Sequence, residues 1–597
     1  MNELTRLSSC ALAAILTAAP LGATAAPFKL SRDLTFPVGS ASAANARRPA
    51  ATKQQIGSAN EATADAPVER PREAPCVDTI FANATFADYS PQTFTYAPPA
   101  GCPGPYNKIV FNGNFAVSAG IQFDRTASVE IGNVPIYFGT TAEPNPTLAP
   151  SWHVERDVTD DAALFSKKQS AEADIFNIVN STYTGVISGT AYLQFYPAHG
   201  RVIPAADTPD IVLPFPDVAG GPQHLNTGSS VLTATYTLPT NVDRAYLDVY
   251  AQSQQTDEQY FLCAPNDVAS EIFTCGNGPL RETEISIDGK PAGVAPVYPW
   301  IYTGGLDPYL WAPIPGVQTL EFKPFRIDLT PFAAALSNGK PHTIDLSVDN
   351  ADNYFQGFAT LFAYQDRFAS HLKGGLILDT LVANPPPNVT ENLTGTSPSI
   401  VGSILVTSAR NYEIEGYLDT PGGRTTTKVA STLAFANEQI LSNESDFTGT
   451  TVVKQTTTDA TTVTTFGGLG FEVKKSVVSF PLSLSLALVL DSTGTGTQVT
   501  SIDQHFTQTI LDLGNTENYA SYESNEVTPQ DTLDILDDEF ITGNSNQSNQ
   551  QTFQEYDTLG TCYAQTVAAK NNLVSAVING PCDVVAARQA LAPLFAR

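Results

Sequence analysis

Residues Ile121–Ile131 read IQFDRTASVEI. Apolar Ile121, Phe123, Ala127, Val129 and Ile131 alternate with polar Gln122, Asp124, Thr126, Ser128 and Glu130, the two-residue period of a half-buried strand. Gly132-Asn133 then signals a turn, and Pro135-Ile136-Tyr137-Phe138 follows as the next strand. Arg125 falls in the apolar phase, where a cation needs a bulge, a strand end or an acidic partner. Lys108–Phe111 lies upstream, and Thr190–Tyr196 (TAYLQFY) closes the block. Short strands with turn signals between them predict a sandwich or jelly roll.

The pattern repeats beyond the Pro/Gly/Asp-rich stretch Pro197–Gly221. Ala245–Ala251, Glu282–Ile287, His342–Val348 and Phe358–Tyr364 read as strands, and Asp288-Gly289 is a hairpin signal. After Pro385-Pro386-Pro387, residues 398–540 are rich in Thr, Ser and Val, β-formers with polar faces. Ser545–Gln551 is expected to be an Asn/Gln/Ser loop, and Val567–Ala596 to hold two short helices around Gly580-Pro581. The fold class expected is all-β. Two adjacent antiparallel jelly-roll sandwiches, residues 76–221 and 222–372, precede a further β-rich C-terminal region, residues 373–597, with a short helical end.

Ahead of these, residues 1–26 are expected to be a signal peptide. Arg6 is a sparse basic region, Ala11–Ala18 is apolar, and Ala23-Thr24-Ala25 gives the small-residue cleavage pattern. Residues 27–75 show no periodicity and read as a linker or pro-segment. A secreted or periplasmic protein is expected. Of the seven cysteines, Cys10 leaves with the signal. The remaining six cluster in three neighbourhoods, which favours Cys76–Cys102, Cys263–Cys275 and Cys562–Cys582 as local disulfides.

The 597 residues include 60 Asp+Glu against 31 Lys+Arg, a formal charge of −29. This excludes nucleic acid as a partner, since phosphate binding needs a clustered basic face. Beyond the signal no run of eighteen apolar residues occurs, so no membrane association is expected after signal removal. With 42% hydrophobic residues the chain has ample material for cores.

Chemistry must come from carboxylates. GxSxG, HExxH and Walker motifs are absent, only six His occur, and no Cys/His pattern calls for a metal. No cofactor is expected. Asp124 sits mid-strand on the polar phase, ordinarily a solvated position. Asp257-Glu258 follows a strand and precedes Tyr260-Phe261, as paired acids in sugar sites do and as plain loops also do.

Further words tie these residues together. They are Gln122-Phe123-Asp124-Arg125, Thr141-Ala142-Glu143-Pro144, Asn180-Ser181-Thr182-Tyr183-Thr184-Gly185, Phe195-Tyr196-Pro197 and Asp257-Glu258. Asn277-Gly278-Pro279 before Arg281-Glu282, Ser286-Ile287-Asp288-Gly289, Tyr302-Thr303-Gly304-Gly305 and Leu310-Trp311 complete the set. In this order they resemble the acid-active peptide:N-glycanase A family of glycoamidases. The smaller F-type peptide N-glycosidases, similar in their core, have two jelly rolls with the active site between them.

The resemblance implies hydrolysis of the amide joining N-acetylglucosamine to asparagine in N-glycosylated peptides or glycoproteins, with an acidic pH optimum. It implies Asp124 as the primary catalytic acid, Glu258 as the group that positions water, and Arg125 as a stabiliser of the carbonyl oxygen. Glu143, Asp257 and Arg281 are expected substrate contacts. Trp152, Trp300 and Trp311 are candidate sugar platforms, with a core role the alternative for each. Phe123 stands where the F-type word has Trp, Gln259 interrupts the aromatics after Glu258, and Ala312 stands where an Arg is usual. A third F-type acid would fall near Asn177 or Asn180. An endo-β-N-acetylglucosaminidase-like glycosidase and a non-catalytic glycan-binding jelly roll are the alternatives.

Overall fold

The computed structural model describes residues 46–47, 55–198, 208–445, 448–467, 470–514, 518–537, 540–559 and 561–581. The expected signal peptide, the start of the linker and the expected helical end beyond Pro581 lie outside the described residues.

Eight strands build the first sandwich: β1 (Cys76–Phe86), β2 (Gln92–Tyr96), β3 (Tyr106–Val117), β4 (Thr126–Ile131), β5 (Val134–Thr140), β6 (Ser151–Asp157), β7 (Gln169–Ile175) and β8 (Ile187–Pro197). They pair as β1-β8-β3-β6 and β2-β7-β4-β5, all antiparallel. This is the strand order of a jelly roll, two interleaved Greek keys. Phe111, Val129, Ile131, Leu193 and Phe195 fill the space between its sheets, each burial stabilising by about 1.5–3 kcal/mol.

The second sandwich repeats the order with β9 (Ile211–Phe215), β10 (Gln223–Leu225), β11 (Leu232–Tyr236), β12 (Val242–Ser253), β13 (Glu282–Ile287), β14 (Lys290–Pro296), β15 (Phe325–Asp328), β16 (His342–Asp349) and β17 (Phe355–Gln365). One sheet runs β9-β17-β12-β15, with β10 also on β17, and the other runs β11-β16-β13-β14. Ile211–Phe215, ahead of Gly221, already belongs to this sandwich. β16 shows the cause of the packing: Ile344, Leu346 and Val348 are buried while Thr343, Asp345 and Ser347 between them are only half-buried.

The remaining strands, from Lys373–Asp379 to Leu573–Asn579, form one twelve-stranded antiparallel sheet. One expectation fails here, and one holds a strand at its start. Ser545–Gln551 is no loop but part of the strand Phe540–Asp557, and the described first part of the expected helical end, residues 567–579, belongs to a hairpin of Cys562–Lys570 with Leu573–Asn579. The amide-rich composition misleads for a physical reason. Asn549 donates to the carbonyls of Leu310 and Ile314, and Gln547 to that of Ala312. Gln504 reaches the Pro299 carbonyl, and Asn437 and Gln439 reach those of Phe261 and Cys263. A polar inner sheet face thus satisfies carbonyls that two loops of the second sandwich would otherwise bury unpaired.

The described part of the expected linker is packed in place. Ala62 and Ala64 are buried, and their N–H groups donate to the Pro313 carbonyl and to Gln551 Oε1. Arg70 binds Glu155 through both its terminal nitrogens. Cys76–Cys102 and Cys263–Cys275 form as expected. Cys562 is also disulfide-bonded, and Cys582 lies outside the described residues. No helix among the described residues is long and apolar enough to cross a membrane.

Candidate functional site

The opening stretch is a strand only from Thr126, and the expected alternation inverts before it. Gln122 turns inward, donating to the carbonyls of Ile178 and Gly185 at 2.9 and 3.0 Å. Its Oε1 accepts from Arg125 Nε and Nη2 at 3.1 and 2.6 Å. With the amide drawn in, Phe123 is 50% exposed. Arg125 therefore stands at a strand end, one of the exceptions its phase required. It lies 5.7 and 5.8 Å from the ring centroids of Phe123 and Tyr183, and the two rings are 5.3 Å apart.

Asp124 is half-buried and faces the second sandwich. Its Oδ2 accepts from the Gly304 N–H at 3.5 Å. Gly304 lies between β14 and β15, in a segment docked along β5. Thr140 N donates to Thr319 O at 3.0 Å, Phe322 N to Phe138 O at 2.8 Å, and Thr303 Oγ1 to Thr141 O at 2.9 Å. Trp311 Nε1 donates to Gly305 O at 2.9 Å. The neighbourhood of Gly304 is thus held from both sides.

Glu143 is the third carboxyl of the group. A Cβ on Gly304 would collide with Glu143 Oε2 and stand 3.3 Å from Asp124 Oδ1, so both acids lie against this glycine. Glu143 accepts from the Asp124 backbone N–H, while its buried Oε2 has no hydrogen-bond partner. Glu143, not a residue near Asn177 or Asn180, is the acid that meets Asp124. Asn177 is buried and donates to the Phe86 carbonyl.

Glu258 comes from the second sandwich, on the turn that follows β12. Gln255 in that turn has φ +52°. Ser253 Oγ donates to Glu258 O at 3.1 Å, and the Tyr302 hydroxyl donates to Ser253 O. Thr126, two residues past Asp124, bonds across the interface to Gln252, Gln254 and Gln356 at 3.1–3.4 Å. These contacts fix the strand that carries Glu258 against the one that begins beside Asp124. Glu258 lines an open cleft with Gln259, Leu262, Phe273 and Asp352. Phe273 is 75% exposed, in the loop closed by Cys263–Cys275.

The three carboxyls influence one another. Burial raises all of them. Glu258 is pushed up to about 7, first by burial and then by Asp124. Glu143 rises by burial and then by the charges of Asp124 and Glu258. Asp124 also rises by burial, but the Gly304 N–H and the Arg125 guanidinium work against the rise. Three such groups share fewer than three negative charges near neutrality, and this arrangement can both accept and donate a proton.

Other expected site residues lie elsewhere. Asp257 and Arg281 are fully buried and pair with each other at 2.8 Å. Asp257 also accepts the N–H groups of Asp352, Asn353 and Tyr354. The pair anchors the Glu258 turn to the loop before β17 and presents no atom to a ligand. All three tryptophans are core residues. Trp152 stacks on Phe115 with centroids 5.6 Å apart, Trp300 packs on Phe322 at 4.2 Å, and Trp311 is 1% exposed. The exposed rings near the acids are instead Phe123 and Phe273, with Tyr183 half-buried beside Phe123. Tyr183 stands in a word quoted above, whereas nothing in the sequence marks Phe273.

A family model for peptide N-acetyl-β-D-glucosaminyl asparaginase amidase A matches residues 65–363. Peptide-N4-(N-acetyl-β-glucosaminyl)asparagine amidase A of Prunus dulcis is 26% identical over 533 residues, 85% of this chain and 90% of that protein. Among solved structures, PNGF-II aligns over 50% of this chain and 66% of its own, with 14% identity and a TM-score of 0.34. PNGase F, a glycosylasparaginase from Flavobacterium meningosepticum, aligns over 49% and 96%, with 14% identity and a TM-score of 0.33. With half its length matched, from the segment before the first jelly roll to the last strand of the second, the chain belongs to the peptide N-acetyl-β-D-glucosaminyl asparaginase amidase A family.

Proposed function

We propose that the protein hydrolyses the amide bond between N-acetylglucosamine and asparagine in N-glycosylated peptides or glycoproteins. The glycan leaves as a glycosylamine and aspartate remains in the peptide. The observation that carries this reading is the meeting of Asp124 and Glu143 at the Gly304 backbone, with Glu258 of the second jelly roll near enough for its charge to act on Glu143 and that of Asp124 to act on it. Family membership and the name of the Prunus dulcis relative support it.

The oxygen of water bonds to the amide carbonyl carbon, the carbon–nitrogen bond breaks, and nitrogen leaves with a proton. One ionised and one protonated carboxyl divide that work. Asp124 takes the primary role, because the Gly304 N–H and Arg125 favour its ionised form. Glu258 positions the water from the second jelly roll. Glu143, whose charge Asp124 and Glu258 both oppose, holds the proton that the departing nitrogen needs. Arg125 stabilises the carbonyl oxygen as charge develops there. Phe123 offers an exposed ring, and Tyr183 a half-buried one beside it, for a sugar or peptide face. Since Glu143 must keep its proton, which burial and the charges of Asp124 and Glu258 help it to hold, activity peaks on the acid side and declines as rising pH removes that proton. Secretion into an acidic medium suits this chemistry.

Mass spectrometry of a digested glycopeptide tests the reading. Conversion of Asn to Asp with release of the whole glycan supports it. An N-acetylglucosamine left on Asn indicates a glycosidase, and an unchanged glycopeptide indicates a binding protein.

A further inference from the structure

A second group of carboxyls lies farther along the strand that Asp124 precedes. Glu130 on β4 stands directly opposite Glu172 on β7, and Asp174 stands opposite Ser128. Alternate residues share a face of a sheet, so Ser128, Glu130, Glu172 and Asp174 all project from the side away from the first sandwich's core. One carboxylate oxygen from each of the three acids lies within 4.8 Å of the other two. Like charges directly opposite on neighbouring strands destabilise a sheet.

These acids are not solvated. Glu130 is 0% exposed and Asp174 is 3% exposed. Ser128 donates to Glu130 Oε1 at 3.1 Å, but Glu130 Oε2 and Asp174 Oδ2 are buried with no hydrogen-bond partner. The segment between β9 and β10 of the second jelly roll closes over the group. Gly220 N donates to Glu172 Oε1 at 2.5 Å, and Asn133 Nδ2 to Asp217 Oδ1 at 2.9 Å. Burial first, and then the neighbouring carboxylates, raise Glu130 and Asp174, and no Lys or Arg is among the groups that act on either. The other close acid triad in the described residues, Glu282, Glu284 and Asp349, is different. Arg410 bridges Glu282 and Glu284 there at 2.6 Å each.

We propose that Glu130, Glu172 and Asp174 form a binding site for one hard divalent cation, calcium by donor type. Oxygen-only donors with no nitrogen or sulfur select this class, and carboxylate oxygens at such separations can converge on one ion. The cation supplies the positive charge that Arg410 supplies to the other triad. It ties β4 to β7 beneath the 217–221 segment, on the sheet face whose Thr126 meets the second jelly roll. The site is separate from the Asp124 group, and the proposal does not depend on the reaction catalysed there.

Full-length protein stripped with EDTA is titrated with calcium chloride by calorimetry, and its thermal midpoint is read with and without calcium. Wild type is expected to show one saturable site and a higher midpoint with calcium, as a ligand of the folded state requires. Glu130→Gln and Asp174→Asn should each lose both responses. In EDTA above pH 8 they should melt at or above the wild-type temperature, because each removes a buried carboxylate that its neighbours repel. Glu284→Gln should keep the wild-type calcium response. Absence of saturable binding in wild type overturns the proposal. So does an undiminished response in Glu130→Gln or Asp174→Asn.

Discussion

The backbone N–H of Gly304, in the second jelly roll, donates to Asp124 Oδ2 of the first. The same glycine leaves room for Glu143, whose Oε2 occupies the space where a side chain would begin. Gly304→Ala must therefore push Glu143 away or move the segment. Misplacement of a reacting group by an ångström can cost roughly 100-fold in rate. We predict a fall of about that size in kcat for Gly304→Ala with a nearly unchanged thermal midpoint. Normal kcat would show that contact between this glycine and the two acids does not matter to turnover.

Asp257 tests the distinction between anchoring and binding. Its carboxylate is buried against Arg281 and three backbone N–H groups. Breaking a buried pair leaves an uncompensated charge, at a cost of roughly 3–5 kcal/mol. Asp257→Asn should lower stability by an amount of that order in urea melts. A variant of wild-type stability with a raised KM would instead place Asp257 in contact with substrate.

Stability should fall as pH rises. Burial pushes Glu61 up to about 8 and Asp161 and Glu321 up to about 7. Between the ordinary carboxyl range and these values the folded state holds protons that the unfolded chain has released. Unfolding then sheds protons, so raising the pH favours it. Glu155 runs the other way: burial opposes its ionisation, but His153 and Arg70 hold it at about 2. Its contribution is lost only as pH falls below about 4.5. In EDTA the thermal midpoint should drop by at least about 4 °C between pH 5 and pH 8. A flat or rising midpoint over that window would contradict the assignment of these buried carboxyls as protonated.

How much of this was legible in the sequence differs from place to place. Strand alternation marked Glu282–Ile287 and Thr190–Tyr196 correctly, because each packs one face on a core. It failed at 121–125, where Gln122 turns inward to cap the Ile178 and Gly185 carbonyls, and at Ser545–Gln551, where buried amides mimic a loop composition. Ordered motif words pointed to Asp124 and Glu258 together, although 134 positions separate them in the chain. Nothing local could tell that Glu143 would meet Asp124 at Gly304, that Asp257 would turn inward while Glu258 lines a cleft, or that the tryptophans would be core. Those facts depend on how the two sandwiches and the long sheet pack.

The exposed rings give a separate prediction. Phe123→Ala and Phe273→Ala should raise KM for a glycopeptide by roughly two- to tenfold, the equivalent of about 0.5–1.5 kcal/mol for an aromatic contact. Their kcat and thermal midpoints should change little. If KM stays at the wild-type value in both, the substrate lies on other surfaces.

The central claim is that Asp124, at the meeting of the two jelly rolls, is required for cleavage of the glycan–asparagine amide. The most direct test is the product mass of an N-glycopeptide incubated with Asp124→Asn beside wild type, together with the thermal midpoint of each protein. The account predicts full conversion of Asn to Asp by wild type and an intact glycopeptide with Asp124→Asn, at closely matched midpoints. Deglycosylation by Asp124→Asn at a near wild-type rate would contradict it.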